Sequence, residues 1–225
     1  MSHGTLASMN DVVAQSRPTD DVEMANQVRP LIEQMLSGGH SVIEPSVQIW
    51  TATAANELRH RIADNPIQGS ESQWSKLERQ LAGAPREVVL LAAEMVLLRE
   101  HPIYMAKPET RRGHIKQVLA ILPDPPAIPE NVLGWMQTQS GSGFKPGQGY
   151  NGGLWRHLVW FAQFVERWST LPDRERDAAK QDPWLLQQVM LDAGEDRADI
   201  RNALQFLIRP DVFEPISSAA MKAAI

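Results

Sequence analysis

The residues best suited to recognition chemistry lie in a glycine-rich stretch at 141–156, Gly-Ser-Gly-Phe-Lys-Pro-Gly-Gln-Gly-Tyr-Asn-Gly-Gly-Leu-Trp-Arg. Glycine lets a backbone approach another molecule closely, aromatic rings can stack, and the two cationic side chains can contact phosphate. Loops held between rigid elements carry function more often than core segments do. The alternative is a structural connection in which Phe144, Tyr150 and Trp155 pack onto the core.

We predict a nucleic-acid-binding surface around this stretch. Residues 101–150 carry five basic and three acidic side chains, whereas the whole chain has a net charge of −5. Lysine and arginine neutralise phosphates, and stacking on an exposed ring contributes ~1–3 kcal/mol per base. Trp135 is the tryptophan most expected to be exposed near the loop. The predicted contact residues are Arg111, Arg112, Lys116, Phe144, Lys145, Tyr150, Asn151 and Arg156.

The usual signatures of catalysis and metal binding are missing from the sequence. The chain has no cysteine, which excludes disulfides, thiolate metal sites and a cysteine nucleophile. Its glycine-rich patches lack the Lys-Ser/Thr pair of a phosphate-binding loop. The six histidines occur singly, without a pair at i, i+4. We therefore predict no catalytic residue, no metal site and no cofactor, and we expect the chain not to be an enzyme.

Apolar residues recur at helical spacing in most of the chain, and no segment shows sustained period-two alternation. This pattern predicts an all-α fold, an irregular multi-helix bundle of about nine or ten helices. The segment 86–99 is apolar nearly all round and is the expected central helix. Thr51 or Thr53 is the expected N-cap of another helix, and Pro30 divides the first amphipathic segment.

The domain organisation follows from prolines and composition. We expect a flexible N-terminal tail at 1–20, a helical subdomain at 21–122, a proline-rich connector at 123–130, and a second helical subdomain with the glycine-rich loop at 131–225. No apolar run approaches the ~18 residues that a membrane span needs, and the N-terminus has no signal-peptide pattern. We expect a cytoplasmic protein without a membrane partner.

Tryptophan is the preferred aromatic residue, with seven copies in the chain. Five of them fall within helical patterns, where a core position or a helix contact is the more frequent role than base stacking. The tryptophans expected to be buried in this way are Trp74, Trp155, Trp160, Trp168 and Trp184.

Several motifs in the second half of the chain resemble those of a known family. They are Tyr150-Asn-Gly-Gly-Leu-Trp-Arg-His-Leu, the segment 164–172, Asp182-Pro-Trp, and the segment 201–218 with its Pro210-Asp-Val-Phe-Glu-Pro-Ile-Ser core. Together they resemble the region just N-terminal to the motor in bacterial McrB-like AAA+ NTPases of modification-dependent restriction systems. The first half is similar more loosely. Family members carry a His-Lys pair shortly after the last motif, where this chain has Met221-Lys222.

The resemblance implies an accessory domain of a larger machine, whose motor carries the nucleotide site. Such a domain recognises DNA, including modified DNA, or docks on a partner. We therefore expect a non-enzymatic recognition domain that binds DNA for defence against phage or other foreign DNA. The alternative is a docking or scaffold domain that contacts the NTPase motor or a nuclease subunit, for which exposed tryptophans would supply binding energy.

Overall fold

A computed structural model describes residues 19–104, 106–137 and 142–218, and these residues form twelve helices and no strand. The all-α prediction is thus confirmed, with more helices than the nine or ten expected. The helices are α1 (Thr19–Gln27), α2 (Arg29–Ser37), α3 (Ala52–Ala63), α4 (Gln73–Leu81), α5 (Arg86–Glu100), α6 (Pro108–Leu119), α7 (Glu130–Trp135), α8 (Gln148–Asn151), α9 (Leu154–Thr170), α10 (Asp173–Gln181), α11 (Pro183–Leu191) and α12 (Ala198–Ile208).

Helix α5 lies at the centre of the bundle, as its all-round apolar sequence predicts. Every residue from Val88 to Glu100 is buried. Its neighbours are α3, α6, α9 and α12, which cover it on all sides. Because the helix ends in charged residues that are also buried, Arg99 and Glu100 need partners within the protein.

The most extensive helix contact joins α9 to α3. It connects a helix after the proline-rich connector at 123–130 to one before it. Buried apolar residues from Met24 to Phe213 form one continuous hydrophobic core. The described residues on the two sides of the connector therefore share a core, and the two predicted subdomains do not have separate ones.

Local sequence signals place most helix ends correctly. Thr51 is the N-cap of α3, where its side chain accepts a hydrogen bond from the Ala54 amide. Pro30 lies in the first turn of α2, just after the break between α1 and α2. Helix α1 already begins at Thr19, so the predicted flexible tail at 1–20 is too long at its C-terminal end. Residues 1–18, Met221 and Lys222 lie outside the described part of the chain.

A buried carboxylate anchors the loop between α2 and α3. Oε1 of Glu94 on α5 accepts hydrogen bonds from Ser41 Oγ at 2.5 Å, from the Val42 amide at 2.7 Å and from the Ile43 amide at 3.2 Å. Its Oε2 accepts from Trp50 Nε1 at 3.2 Å. Four donors from one loop thus converge on a side chain that is 0% exposed.

Within the described ranges, no helix has both the length and the apolar character that crossing a bilayer requires.

Candidate binding site

The glycine-rich loop packs onto the core through two of its three aromatic residues. Phe144 and Tyr150 are buried and lie edge to face, with ring centroids 5.2 Å apart. Tyr150 donates its hydroxyl hydrogen to the Arg99 carbonyl at 2.7 Å, and burial raises the pKa of Tyr150. The prediction that Phe144 and Tyr150 stack on a base is therefore wrong for this conformation, because neither ring has a free face. These two residues pack onto the core, as the alternative interpretation of the loop as a structural connection predicts.

Gly143 fixes the entry of this loop. Its φ of +86° lies in the left-handed region, and a Cβ would come within 2.3 Å of the Pro102 carbonyl oxygen. Its amide donates to Asp21 Oδ1 at 2.7 Å. Gly143 therefore holds the loop backbone against α1 and the turn after α5. Glycine is needed at this position because the backbone packs closely within the protein.

Arg111 is a structural cation and cannot contact phosphate as predicted. It is 5% exposed, and its guanidinium donates to the carbonyls of Ile103 at 2.8 Å and His101 at 3.2 Å. Longer contacts of 3.5 Å reach the carbonyls of Met136 and Gln137. Arg111 therefore joins the turn after α5 to the end of α7. Its predicted role in nucleic-acid binding is wrong.

A buried polar network at the end of α5 holds the segment that leads into α9. Arg99 donates from Nε to His157 Nδ1 at 3.0 Å and from Nη2 to the Tyr150 carbonyl at 2.7 Å. A longer contact of 3.3 Å reaches the Asn151 carbonyl. His157 in turn contacts Asp199 Oδ2 at 3.0 Å. One guanidinium therefore ties α8 and α9 to the central helix.

The network positions residues and leaves no ring nitrogen free for proton transfer. Because a guanidinium can only donate, His157 Nδ1 must accept the hydrogen bond from Arg99. The ring proton then lies on Nε2, which donates a hydrogen bond to Asp199. A ring whose Nδ1 accepts from Arg99 is neutral, and burial lowers the pKa of His157 in the same direction. Burial also acts to raise the pKa of Asp199, but the hydrogen bond from His157 and the charge of Arg197 outweigh it and hold the pKa of Asp199 below its ordinary value.

Helix α9 presents Trp155 and Arg156 outward from this anchored start. The buried seam of the helix runs through Leu154, His157, Leu158 and Phe161, at spacings of three and four residues. Trp155 lies off this seam and is 47% exposed, so its predicted core position is wrong. The Arg156 guanidinium stacks over the indole, 5.1 Å from the ring centroid.

An apolar groove opens on one side of Trp155. It lies between the end of α3, the start of α9 and α4, and has a volume of about 410 Å³. Ile62, Ile67, Leu77 and Leu154 supply its apolar walls, with Trp155 and Lys76 at its edge. A groove of this kind can hold an apolar side chain of a ligand.

A second groove, of about 330 Å³, opens on the other side of the same tryptophan, and we call it the polar groove because arginine, glutamate and glutamine side chains contribute to its lining. It lies between α9 and the turn before α12, and its lining includes Trp155, Arg156, Trp160, Gln163, Glu195 and Arg197. Trp155 therefore separates two recesses of different chemistry. Sequence reasoning missed this arrangement because the two walls come from segments about forty residues apart in the chain.

Comparisons with known proteins identify no relative of this chain that would explain the site. The chain matches no protein-family model, no curated protein and no solved structure. The resemblance to McrB-like NTPases therefore stays a prediction, and the site must be interpreted from its own chemistry.

The other predicted contact residues are distributed over three helices and one loop. Lys116, Lys145, Asn151 and Arg156 are exposed, and Arg112 is half-buried, with Nε 3.4 Å from the Pro108 carbonyl. Lys145 lies over the Tyr104 ring at 5.8 Å. The Asn151 carbonyl accepts from Gln73 Nε2 at 3.2 Å. Trp135, expected to be exposed, is half-buried against the core.

The described residues contain no group of three or more histidine, aspartate or glutamate side chains that could hold a metal ion. The second exposed tryptophan is Trp184 on α11, at 62%. Its predicted burial is also wrong, and its ring contacts Phe213 edge to face. Exposed Leu185 lies beside it in the sequence. Trp184 is therefore a natural comparison for Trp155.

Proposed function

We propose that this chain is a non-enzymatic docking domain that binds a protein partner through the surface around Trp155. One observation carries the proposal. A half-exposed tryptophan, with an arginine stacked on it, forms the ridge between an apolar groove and a polar groove. Tryptophan and arginine are the residue types most enriched at the energetic centres of protein interfaces.

The rigidity of the ridge supports this role. The backbone leading to it is fixed by Arg99, and the Leu154 amide donates to Gln73 Oε1 at 2.9 Å. A Cβ on Gly153 would lie 2.9 Å from His157 Nε2, so the chain closes tightly on the buried histidine. An anchored side chain loses less conformational freedom on binding than a mobile one.

The resemblance to McrB-like systems suggests which partner to test. In that class of machine, an accessory domain docks on an NTPase motor or a nuclease subunit. We therefore propose such a subunit as the partner, in a bacterial system that restricts foreign DNA.

Replacing Trp155 with alanine is expected to weaken retention of the partner by roughly thirtyfold, as loss of a hot-spot residue does. The test uses the full chain as bait in extract of its source organism, with nuclease added and retained proteins quantified by mass spectrometry. Trp184→Ala is the matched control, because it removes an exposed tryptophan from another surface.

The proposal requires a protein retained by the wild type and by Trp184→Ala but lost with Trp155→Ala. Retention that survives Trp155→Ala would exclude this surface as the docking site. Retention lost only with Trp184→Ala would move the docking site to α11.

DNA binding is the second candidate function, and the cations without an ion-pair partner favour it. Arg112, Lys116, Lys145 and Arg156 form no ion pair with any residue in the described ranges, so each is able to neutralise a phosphate. The burial of Arg111, Phe144 and Tyr150 removes three of the predicted contacts. For this reason we place DNA binding second.

For a DNA-binding domain, replacing Lys116 and Lys145 together with glutamine is expected to reduce the slope of log affinity against log salt by about 2. Fluorescence polarisation with unmodified, cytosine-modified and adenine-modified duplexes at two salt concentrations measures this. Lys180→Gln serves as control, because Lys180 is exposed and pairs with Asp177. An unchanged slope would show that the two lysines do not contact DNA.

A further inference from the structure

The geometry points to a carboxylate-binding site in the polar groove, which receives an acidic side chain of a partner segment whose neighbouring apolar side chain enters the apolar groove. The inference rests on the proposed docking function and adds the chemistry of the partner. It is carried by unpaired hydrogen-bond donors, by the sign of the local charge, and by the position of Trp155 between the grooves.

Two donors in the lining of the polar groove have no acceptor. Trp160 is 1% exposed, and its indole Nε1 has no hydrogen-bond partner among the residues that the structure describes. Nε of Arg197 is likewise buried and unpaired within that part of the chain. A buried donor without an acceptor is destabilising, and a carboxylate in the groove brings two acceptor oxygens to the residues that carry these donors.

One cation in the lining of the groove is available to an anion. Arg156 and Arg197 contribute two positive charges and Glu195 one negative charge, and the ion pair with Asp199 offsets the charge of Arg197. Arg197 is held in place because its Nη2 donates to Asp199 Oδ2 at 3.1 Å, whereas Arg156 makes no ion pair with a described residue. The groove therefore combines one fixed and one free guanidinium, and guanidinium groups pair well with carboxylates.

The position of Trp155 selects a peptide over a nucleic acid. The same indole lines both grooves, so a ligand that spans the ridge must offer an apolar group and an anion close together. Leucine beside glutamate meets that requirement, whereas a DNA backbone places only compact, oxygen-bearing sugars next to its phosphates. The net charge of −5 also disfavours a polyanion.

Access to the Trp160 indole from the groove requires a side-chain movement. Trp160 Nε1 is closed to solvent, and Gln163 lies one turn further along the same face of α9. The side-chain amide of Gln163 forms no hydrogen bond with a described residue. Its rotation therefore breaks no hydrogen bond within that part of the chain. Binding is therefore expected to change the environment of the Trp160 indole as well as that of Trp155.

The test is a titration of the isotope-labelled full chain by nuclear magnetic resonance, which detects tryptophan indole and arginine Nε hydrogens separately. The probes are a short acetylated Leu-Glu peptide and a matched Leu-Gln peptide. With the Leu-Glu peptide, we expect the Trp160 indole and Arg197 Nε signals to move downfield and the Trp155 signal to shift. We expect the Leu-Gln peptide to bind roughly tenfold more weakly.

Arg156→Gln is expected to weaken binding of the Leu-Glu peptide by roughly tenfold. Arg167→Gln is the control, because it removes the same charge about three turns along α9, outside the groove. Equal affinity for the two peptides, with shifts at Trp155, would overturn the carboxylate site and leave the docking surface intact.

No shift at Trp160 or Arg197 with millimolar Leu-Glu peptide would also overturn the site. Shifts of these signals with a DNA duplex alone would reassign the groove to phosphate. The docking function itself is judged separately, by partner retention with Trp155→Ala, so each hypothesis can fail independently.

Discussion

Replacing Arg99 with methionine is expected to lower the free energy of unfolding by about 3–5 kcal/mol, which corresponds to a fall in Tm of roughly 6–20 °C. The guanidinium is buried and donates to His157 and to the carbonyls of Tyr150 and Asn151. Methionine fills a similar volume but leaves His157 Nδ1 without a donor and removes one hydrogen bond from each of the two carbonyls. It also removes the cation that lies 3.5 Å from Glu100 Oε1. Chemical denaturation and thermal unfolding measure the loss.

The same substitution is expected to loosen the ridge that carries Trp155. Amides of residues 148–157 should exchange with solvent faster in the Arg99→Met variant, while those of α12 should change less. Arg79→Met is the control, because Arg79 is exposed and pairs with exposed Glu71; such pairs contribute about 0–1 kcal/mol. A loss below 1 kcal/mol with unchanged exchange would show that Arg99 does not hold this segment.

The sequence predicted the helical scaffold well because its signals are local. Prolines and capping residues mark where helices start, and each acts within one turn. Thr51 caps α3 as expected, and Pro183 lies at the first position of α11. The four-residue helix α8 within the glycine-rich loop was missed, because a single turn among glycines has no periodic apolar pattern.

The roles of individual polar residues could not be predicted in the same way. Arg111 and Lys116 lie on one helix and look alike in sequence, yet Arg111 is buried and Lys116 is exposed. The difference arises because carbonyls from the turn after α5 and from the end of α7 surround Arg111. Such contacts are non-local, and a composition count treats both cations as surface charges.

Helix α9 shows which pattern would have improved the site prediction. The prediction placed Trp155 in the core because it falls within a helical apolar pattern, and it gave no role to His157. A narrower seam at spacings of three and four, through Leu154, Leu158 and Phe161, includes His157 and excludes Trp155. The strict helical period therefore carried the correct information, although tryptophan is usually the more buried residue of the two.

Replacing Glu94 with alanine is expected to lower the free energy of unfolding by about 3–5 kcal/mol. The carboxylate accepts four hydrogen bonds from the loop between α2 and α3, including those from Ser41 and Trp50. Truncation leaves these donors unsatisfied in the interior and opens a cavity beside α5. Denaturation at neutral pH measures the loss.

Glu94 also gives stability a defined pH dependence. Burial raises the pKa of this carboxyl to about 7 from its ordinary value of 4.5, against the opposing effect of its four donors. A raised folded pKa means that the contribution to stability is full below pH 4.5 and is lost as the pH rises through 7. The difference in unfolding free energy between wild type and Glu94→Gln should therefore fall by about 3 kcal/mol over this interval.

Glu78→Gln is the matched control, because Glu78 is exposed on α4 and makes no hydrogen bond with a described residue. Its unfolding free energy should follow that of the wild type at every pH. A wild-type curve parallel to that of Glu94→Gln between pH 4.5 and 7 would show that Glu94 keeps one protonation state on folding. The four donors would then keep Glu94 ionised, and the expected pH dependence of stability would be wrong. The expected loss of unfolding free energy in Glu94→Ala would still stand.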